Sequence, residues 1–424
     1  MAIRPFAIGE KLAAALSTEC IRPAQVSDGV AGIQPQLLVE PADEQQLAEV
    51  LRLANDANLV VIPRGGGTKL DWGNPPRRAD LLLSTRSLNK IIEHVWADLT
   101  VSVEGGCTVT ALQAALAQHG QRLAIDPLWP EHATVGGMLA TNDSGSLRLR
   151  VGALRDLIIG VTVALPDGTL ASSGGKVVKN VAGYDLPKLM TGAFGTLGVI
   201  TRAVFRLHPL PRLTRTLTSV ASSFKDAQVL LLRIQDSQLA YSALQMRLIA
   251  DAPQPQIDVL FDGTEGGIAA QVAAFRAIVS PAPVAEADGH VWNARQELYS
   301  AARCDTDTSA VAKLSTLPCN IEDVAVTLCA KATSRLRYSL VVQANGIGHV
   351  LLRGEPAGLA AFLSSFRAGL ERNGGSLVIH QQPDSAQHLD TWGSSCDAVP
   401  LMHALKSQFD PRNTLNPGRF VGSI

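Results

Sequence analysis

The sequence lacks any apolar run that approaches the ~20 residues needed by a membrane-spanning helix. It also lacks a basic excess, since 37 Lys and Arg stand against 38 Asp and Glu and the net charge is −1. Without a positive surplus to neutralise a run of phosphates, nucleic acid is a poor candidate partner. These absences predict a soluble protein that reaches a membrane only through a partner.

Cysteines are few and scattered, at positions 20, 107, 304, 319, 329 and 396. None forms a C-x-x-C pair or another compact ligand cluster, which argues against an iron–sulfur or zinc site built by this chain alone. A long chain with sparse cysteines is typical of a reducing compartment. Charged Arg4, Glu10 and Lys11 interrupt the apolar core that a secretory signal requires, so the sequence predicts a cytoplasmic location.

Three common active-site motifs are missing as well. No G-x-x-x-x-G-K-[ST] loop, G-x-G-x-x-G fingerprint or G-x-S-x-G elbow occurs in the chain. There is also no low-complexity tract and no obvious repeat. At 424 residues the chain is too long for one average domain, so two or three domains are expected.

Local patterns predict alternating helices and strands in the first half. Asp43 can cap an amphipathic helix, and residues 59–62 form a short apolar strand after it. Thr108 or Thr110 starts a second helix. Residues 158–170 predict a hairpin, because they contain the turn dipeptide Asp-Gly between alternating apolar residues.

The strand at 59–62 runs into a glycine-rich loop, Pro63 to Thr68. Three consecutive glycines can direct backbone N–H groups into one concavity, and such nests attract phosphate oxygens. Glycine also permits close backbone approach and positive φ. Arg64 is either a cationic donor to the same ligand or a solvent-facing side chain, and the loop alone is equally well a flexible turn.

Two further glycine-rich segments lie beside apolar, strand-like sequence. Residues 134–145 are small enough for a large flat ligand to lie against the backbone, and Thr141 and Asn142 offer hydrogen-bonding side chains. The alternative for this segment is a helix start with close glycine packing. The third segment covers residues 183–198. Together the three segments indicate one extended ligand that crosses several loops.

The combination of these segments resembles the vanillyl-alcohol-oxidase type of FAD-binding domain, also called the PCMH type. The resemblance rests on Pro63–Thr68, Thr134–Asn142, Gly183–Leu186 and Gly195–Thr201. Two further segments, Lys179–Asp185 and Leu415–Phe420, are most similar to the FAD-binding subunit of bacterial glycolate oxidases. The resemblance is strong over residues 30–212, good at the C-terminus and loose in the middle.

The resemblance implies an α+β fold in which a two-subdomain FAD-binding domain precedes a smaller α+β cap domain. We place an N-terminal helix and loop at 1–30, the FAD-binding domain at 31–212, the cap at 213–395 and a C-terminal segment at 396–424. That last segment is expected to return to the FAD-binding domain. Pro209 and Pro211 mark the boundary between the two larger parts.

The resemblance also implies which residues hold one FAD between the two subdomains. The implied diphosphate site consists of Arg64, Gly65, Gly66, Gly67 and Thr68 with Thr134, Val135, Gly136 and Gly137. The residues implied along the flavin or adenosine part are Thr141, Asn142, Val199 and Ile200, with Asn416 near the ring.

Two positions argue against a covalent bond to the cofactor. Relatives with a histidyl–FAD bond carry histidine directly after the glycine run, where this sequence has Thr68. Cys107 lies in a different loop and is expected to be a small buried residue. The FAD is therefore expected to be bound non-covalently.

A metal-holding motif of the family is also altered. Catalytic 2-hydroxy-acid dehydrogenases of this superfamily carry H-x-G-D-G-N-x-H, whose two histidines can hold a metal. The nearest match replaces both histidines, by Ala344 and Leu351, and the aspartate by Ile347. A ligand set reduced to His349 holds a divalent cation poorly, so no metal is expected and His349 is expected to be structural.

Trp292 and Arg295 form a W-x-x-R element that resembles one in related dehydrogenases, where the arginine can face a substrate carboxylate. The favoured alternative is a solvated helix face, because Gln296 and Glu297 continue a polar run.

Taken with the resemblance, the sequence predicts an FAD-dependent oxidoreductase that acts on CH–OH donors. It would be a subunit of a glycolate-oxidase-like complex that oxidises glycolate to glyoxylate, together with a sister FAD-containing catalytic subunit and an iron–sulfur subunit. The lack of cysteine clusters fits an external iron–sulfur partner. The alternatives are a stand-alone FAD-dependent dehydrogenase of another 2-hydroxy acid or alcohol, and a structural subunit without its own turnover.

Overall fold

The computed structural model describes residues 12–14, 16, 18–175, 184–249, 252–331, 336–383, 389–394 and 397–424. Several residues used above lie outside the described residues, namely Arg4, Glu10, Lys11, Lys179–Gly183 and Cys396. The chain divides into two compact units. The first comprises Met1–Ser144, Val151–Leu210 and Ser395–Ile424, and the second comprises Gly145–Arg150 and Pro211–Ser394. The four domain ranges given above stay predictions.

Strands and helices alternate along the chain. Up to residue 210 the strands are β1 (Ile21–Pro23), β2 (Leu37–Val39), β3 (Val61–Arg64), β4 (Leu81–Ser84), β5 (Ile91–Val95), β6 (Thr100–Glu104), β7 (Gln121–Arg122), β8 (Ile158–Ala164), β9 (Leu170–Gly174), β10 (Val199–Arg206) and β11 (His208–Pro209). The α-helices of this stretch are α1 (Glu44–Asp56), α2 (Val109–Ala117), α3 (Val135–Thr141), α4 (Arg148–Val151), α5 (Leu154–Leu157) and α6 (Leu186–Met190). The remaining strands are β12 (Leu213–Val220), β13 (Tyr241–Ile249), β14 (Ala252–Gly263), β15 (Val284–Ala287), β16 (Ser309–Ser315), β17 (Leu336–Gln343), β18 (Ile347–Gly354) and β19 (Ser376–Gln381). The remaining α-helices are α7 (Phe224–Gln235), α8 (Glu265–Val279), α9 (Ala294–Arg303), α10 (Ile321–Lys331), α11 (Pro356–Arg372) and α12 (Val399–Phe409).

A four-stranded sheet in the order β1-β2-β4-β3 forms one half of the first unit. β4 runs parallel to both β2 and β3, whereas β1 is antiparallel to β2. Helix α1 begins as predicted, because Asp43 Oδ1 accepts the N–H of Gln46 at 2.8 Å. Its apolar side chains from Leu47 to Ala54 are buried in the core that covers this sheet. β3 starts at Val61, two residues later than predicted.

A five-stranded antiparallel sheet in the order β5-β6-β10-β8-β9 forms the other half. Helices α2 and α3 contribute buried side chains to its core. The hairpin of β8 and β9 turns at Gly168, whose φ of 87° is accessible to glycine, and β9 continues to Gly174, beyond the predicted end. Thr108 rather than Thr110 starts α2, since its hydroxyl accepts the N–H of Ala111 at 3.3 Å.

The second unit contains an eight-stranded antiparallel sheet in the order β15-β12-β14-β13-β17-β18-β16-β19. Its elements form two successive β-α-β-β-α-β motifs, one from β12 to β15 and one from β16 to β19. The two motifs join through antiparallel pairing of β13 with β17. The chain therefore contains a repeat of topology, although the sequence shows no repeat, because packing constrains the order of elements more than the identity of the residues.

Helices pack on both faces of the sheet of the second unit. Helices α7, α8, α10 and α11 bury an extended apolar core on one face. Helix α9 contacts β16, β17 and β18, and its buried side chains are not part of that core. Because side chains alternate between the faces of a strand, α9 covers the opposite face. No helix among the described residues has the length and apolar character needed to cross a membrane.

Candidate functional site: a cofactor cleft in the first unit

Most of the predicted site residues line one cleft in the first unit. The space between its walls, with the open mouth included, is about 830 Å³. The predicted residues that line it are Arg64, Gly65, Gly66, Gly67, Thr68, Thr134, Gly136, Gly137, Thr141, Val199, Ile200 and Asn416. Val135 and Asn142 are not among the lining residues. Val135 is instead buried in the core beneath.

The first two glycine loops lie directly against each other. A β-carbon on Gly65 would collide with the side chain of Thr134, and one on Gly66 would collide with the carbonyl oxygen of His132. Glycine is therefore required here because of close approach between two loops. Gly66 and Gly137 consequently lie on the walls of the same cleft.

The first loop supplies backbone donors. No described residue accepts a backbone hydrogen bond from Gly65, Gly66 or Gly67. Gly67 has a φ of 77°, which turns the chain sharply at this point. Three successive N–H groups at the wall of a cleft suit an anionic group such as a diphosphate.

The second loop differs, because the protein itself uses its N–H groups. Val135 donates to Cys107 O at 2.9 Å and Gly136 donates to Gly105 O at 2.7 Å. Gly137 donates to Thr134 Oγ1 at 3.3 Å, which caps α3. This loop therefore forms a close-packed wall, whereas the first loop offers donors.

Arg64 is anchored at one end by a carboxylate that the sequence did not suggest. Its Nη1 lies 2.8 Å from Oδ1 of Asp28, which is 3% exposed. Asp28 also receives Arg22 Nη1 at 2.7 Å and the N–H of Gln25 at 2.8 Å. These donors, Arg22 first, hold the pKa of Asp28 well below its usual range.

Lys69 is a buried cation at the wall of the cleft. Its Nζ lies 3.0 Å from Oδ2 of Asp143, and both side chains are at most 5% exposed. The same Nζ lies 5.8 Å from the ring centroids of Trp72 and Trp129. Asp143 also accepts the N–H of Leu128 at 2.8 Å. This pair joins the end of the first glycine loop to the residues after α3.

Asn416 brings the C-terminal segment to the cleft. Its N–H donates to Val61 O at 3.1 Å and its Nδ2 donates to Phe194 O at 2.6 Å. Its Oδ1 is buried and accepts no hydrogen bond from any described residue. Arg419 secures the same segment by donating to Leu70 O and Trp72 O at 2.5 and 2.6 Å. Asn416 thus presents an acceptor to the cleft from a fixed backbone.

Helix α12 carries the lysine that holds this segment in place. Lys406 Nζ lies 2.6 Å from Asp410 Oδ2 and donates to Thr196 O and Leu415 O, each at 2.8 Å. Asp410 accepts the N–H groups of Thr414 and Leu415. Burial lowers the pKa of Lys406, and Asp410 opposes that shift.

The remaining predicted residues, Thr141 and Asn142, lie at the C-terminal end of α3. Thr141 lines the cleft while its hydroxyl donates to Gly137 O at 2.8 Å. Asn142 ends α3 with a φ of 49°, and its Oδ1 is buried without a described hydrogen-bond donor. Asn142 therefore shapes the end of the helix rather than the wall of the cleft.

Thr68 and Cys107, the two residues considered for a covalent bond to the cofactor, lie in different surroundings. Thr68 lines the cleft, whereas Cys107 is not among its lining residues and is 2% exposed. Burial raises the pKa of Cys107 to about 11, so its thiol stays protonated at neutral pH and is a poor nucleophile.

In the second unit, the expectation of a solvated face at Arg295 is wrong. Arg295 is 8% exposed and lies on the side of α9 that also buries Leu298, Tyr299 and Ala302. Its neighbour Glu297 is exposed. The polar run is therefore a helix whose buried face includes an arginine.

His349 is buried beside Tyr299 and His380. The hydroxyl of Tyr299 lies 2.9 Å from Nδ1 of His349 and 2.6 Å from Nδ1 of His380. Within the described part of the chain, no three His, Cys, Asp or Glu residues form a group that could hold a metal ion.

The site contains residues that the sequence analysis did not single out: Asp28, Lys69, Asp143, Lys406 and Asp410. Only the i,i+4 spacing of Lys406 and Asp410 gave a usable signal. Arg64 lies 36 residues from Asp28, and Asp143 is likewise distant in sequence from Lys69, so no local pattern indicated these two contacts.

A family model described as "FAD binding domain" matches residues 35–174. The chain is 26% identical over 421 residues to the glycolate oxidase subunit GlcD of Bacillus subtilis, which covers 91% of this chain and 88% of that protein. It is 36% identical over 192 residues to a D-lactate dehydrogenase of Archaeoglobus fulgidus, which covers 45% of this chain and 43% of that protein. A crystal structure of p-cresol methylhydroxylase with bound substrate matches with a TM-score of 0.77 at 15% identity, over 98% of this chain and 96% of that chain.

Fold, glycine loops and family model define the class: the chain is an FAD-dependent oxidoreductase with a PCMH-type α+β fold. FAD is its cofactor, and the resemblance to a flavin-binding subunit of glycolate oxidase is confirmed by the B. subtilis relative. The donors of the cleft fit this cofactor. The glycine N–H groups and Arg64 suit a diphosphate, and Asn416 Oδ1 suits an N–H or O–H donor of the ligand.

Proposed function

We propose that this chain is the FAD-binding subunit of a glycolate-oxidase-like complex that oxidises glycolate to glyoxylate. A sister flavoprotein and an iron–sulfur subunit complete the proposed complex. The observation that carries the proposal is the cleft in which two glycine loops and the C-terminal segment meet. Further support comes from the glycolate oxidase subunit of B. subtilis, which is similar over 91% of the chain.

The proposed cofactor site consists of the residues predicted from the sequence, with different roles for the two loops. Gly65, Gly66 and Gly67 donate backbone hydrogen bonds to the diphosphate, and Arg64 adds a positive charge. Residues 134–137 pack against that loop, and Thr141, Val199 and Ile200 line the rest of the cleft. Asn416 accepts a hydrogen bond from the cofactor. We assign different roles to the two loops because the N–H groups of the second loop already donate hydrogen bonds within the protein, whereas those of the first loop donate to no described residue.

Bound FAD supplies the two-electron acceptor that oxidation of a hydroxy acid requires. The residues of this chain bind and orient that group and exclude water from it. In the second unit Ala344 and Leu351 occupy the positions of the two metal-holding histidines of the related motif, and Ile347 occupies the position of its aspartate. This favours a chain whose own flavin relays electrons or stabilises the assembly, while a sister subunit oxidises the substrate.

We further propose a cytoplasmic protein that meets the inner face of the membrane through its partners. This agrees with the described helices, none of which is suited to cross a membrane.

A second candidate is a stand-alone dehydrogenase of another 2-hydroxy acid. The similarity to the D-lactate dehydrogenase of A. fulgidus favours it, because identity there reaches 36%, although over 45% of this chain. A structural subunit without its own turnover is the third candidate. The intact donors of the cleft argue against a loss of the cofactor.

Purification of the chain alone and with its co-expressed partners separates these candidates. The proposal predicts a yellow protein that releases FAD on acid precipitation, with glycolate-dependent dye reduction only in the complex. Glycolate- or D-lactate-dependent dye reduction by the chain alone would establish the second candidate. A colourless chain in an active complex would establish the third.

A further inference from the structure

Asp28 is a buried carboxylate with two arginine partners of different character. Arg22 contacts both of its oxygens, at 2.7 and 3.2 Å, and the side chain of Arg22 is 42% exposed. Arg64 contacts Oδ1 at 2.8 Å, and its side chain is 15% exposed. With the N–H of Gln25 also bound, the carboxylate holds four donor contacts. Its position is therefore fixed from several directions.

Of the two arginines, Arg64 lines the cofactor cleft and Arg22 is not among the lining residues. Nη1 of Arg64 is bound to Asp28, while its Nε is buried without an acceptor among the described residues. A buried guanidinium N–H without an acceptor is costly unless a ligand provides one. The part of Arg64 that Asp28 does not bind is thus available to the cofactor.

We propose that Asp28 is a positioning residue of the cofactor site, which holds the guanidinium of Arg64 in place for the diphosphate of FAD. The inference rests on the proposed site and adds a residue outside the cleft to it. A free arginine side chain loses rotamer entropy when it binds a ligand. Asp28 removes that cost in advance, so the cofactor meets a charge that is already oriented.

A double-mutant cycle tests this role, with the affinity for FAD measured by fluorescence on protein stripped of its cofactor. R64Q is expected to weaken binding about 10- to 100-fold, since hydrogen bonds to charged groups contribute about 1.5–3 kcal/mol. D28N is expected to weaken it less, about three- to tenfold, because the arginine remains but is less ordered. In the R64Q background D28N is expected to change the affinity less than twofold.

Arg22 provides the matched control. R22Q also removes a partner of Asp28, but one outside the cleft, and it is expected to leave FAD affinity within about twofold. R64Q should also reduce the dependence of affinity on salt, because it removes a charge from the site. Thermal unfolding of each variant without FAD separates positioning from loss of structure.

Two results would overturn the proposal: an equal effect of D28N with and without Arg64, or an effect of R22Q as large as that of D28N. If D28N does not fold, D28E completes the cycle, because it moves the carboxylate by one methylene and keeps its charge. Wild-type affinity in R64Q contradicts this inference and the role of Arg64 in the cofactor site, but it leaves the proposed function standing. Absence of FAD binding by the wild-type chain contradicts the proposed function as well.

Discussion

Lys69 and Asp143 form an ion pair that is removed from water beside the cofactor cleft. K69M removes the ammonium from a buried ion pair, so we expect a loss of about 3–5 kcal/mol in the free energy of unfolding. Chemical denaturation followed by tryptophan fluorescence measures this, since Trp72 and Trp129 flank Lys69.

The exposed pair of Lys188 and Asp185 is the matched control, with both side chains more than half exposed. K188M is expected to cost less than about 1 kcal/mol, because solvent screens such a pair. Part of the loss in K69M should return in K69M/D143N, which neutralises the carboxylate that faces Lys69 in the wild type. Equal losses in K69M and K188M would mean that burial of the first pair is not maintained in solution.

Gly66 allows a direct test of the contact between the two glycine loops. In G66A the new methyl group meets the carbonyl of His132, so one loop must move. We expect FAD affinity to fall about five- to 100-fold, since overpacking that displaces the donor loop costs about 1–3 kcal/mol. The control is G175A, because a β-carbon there meets no other atom within 4 Å. Unchanged FAD affinity in G66A would show that cofactor binding does not depend on this contact between the loops.

Elements with a local signal were predicted well from the sequence. Asp43 caps α1 by a hydrogen bond to Gln46, three residues away. Contacts that join distant residues were not predicted, since Asp28 and Arg64 are 36 residues apart and Lys406 and Thr196 are 210 apart. The environment of Arg295 was predicted wrongly, because the strands it packs against decide which face of its helix is buried.

Helix α12 is connected to the segment that carries Asn416 through the side chain of Lys406. Substitution of this one lysine therefore tests what the helix contributes to the cleft. K406M removes donors to Thr196 O and Leu415 O and strands the buried Asp410. We expect a loss of about 3–5 kcal/mol in the free energy of unfolding. FAD affinity should fall as well, because Asn416 follows Leu415 directly.

The stability difference between wild type and K406M should also depend on pH. Burial lowers the pKa of Lys406 in the folded chain, whereas the unfolded chain binds that proton with a pKa of about 10.4. Between these two values the unfolded state holds more protons, so the free energy of unfolding of the wild type gains a component that rises with pH. The free energy of unfolding of K406M lacks this pH-dependent component, whereas that of the exposed control K225M retains it. A difference between wild type and K406M that stays constant from neutral pH to pH 10 would contradict the assignment.

At the scale of the whole molecule, the cofactor cleft and the topological repeat lie in different units. The described residues that line the cofactor cleft all belong to the first unit, and the topological repeat belongs entirely to the second. The cofactor site of the first unit was predictable because its glycine-rich loops are typical of ligand binding. The repeat was not, because its two halves share an order of elements and no visible sequence pattern.

This division predicts where the cofactor stabilises the chain. At a free FAD concentration of 100 Kd, binding should add about 2.7 kcal/mol to the free energy of unfolding of the part of the chain that unfolds together with the site. Hydrogen exchange with and without FAD should therefore show slower exchange in residues 63–70, 134–141, 193–200 and 414–419, which contain the lining residues of the loops and the C-terminal segment. G66A at the same FAD concentration is the control and should lose most of that protection. Equal protection of β12–β15 and β16–β19 would contradict a cofactor site confined to the first unit, because those strands contribute no residue to the cleft.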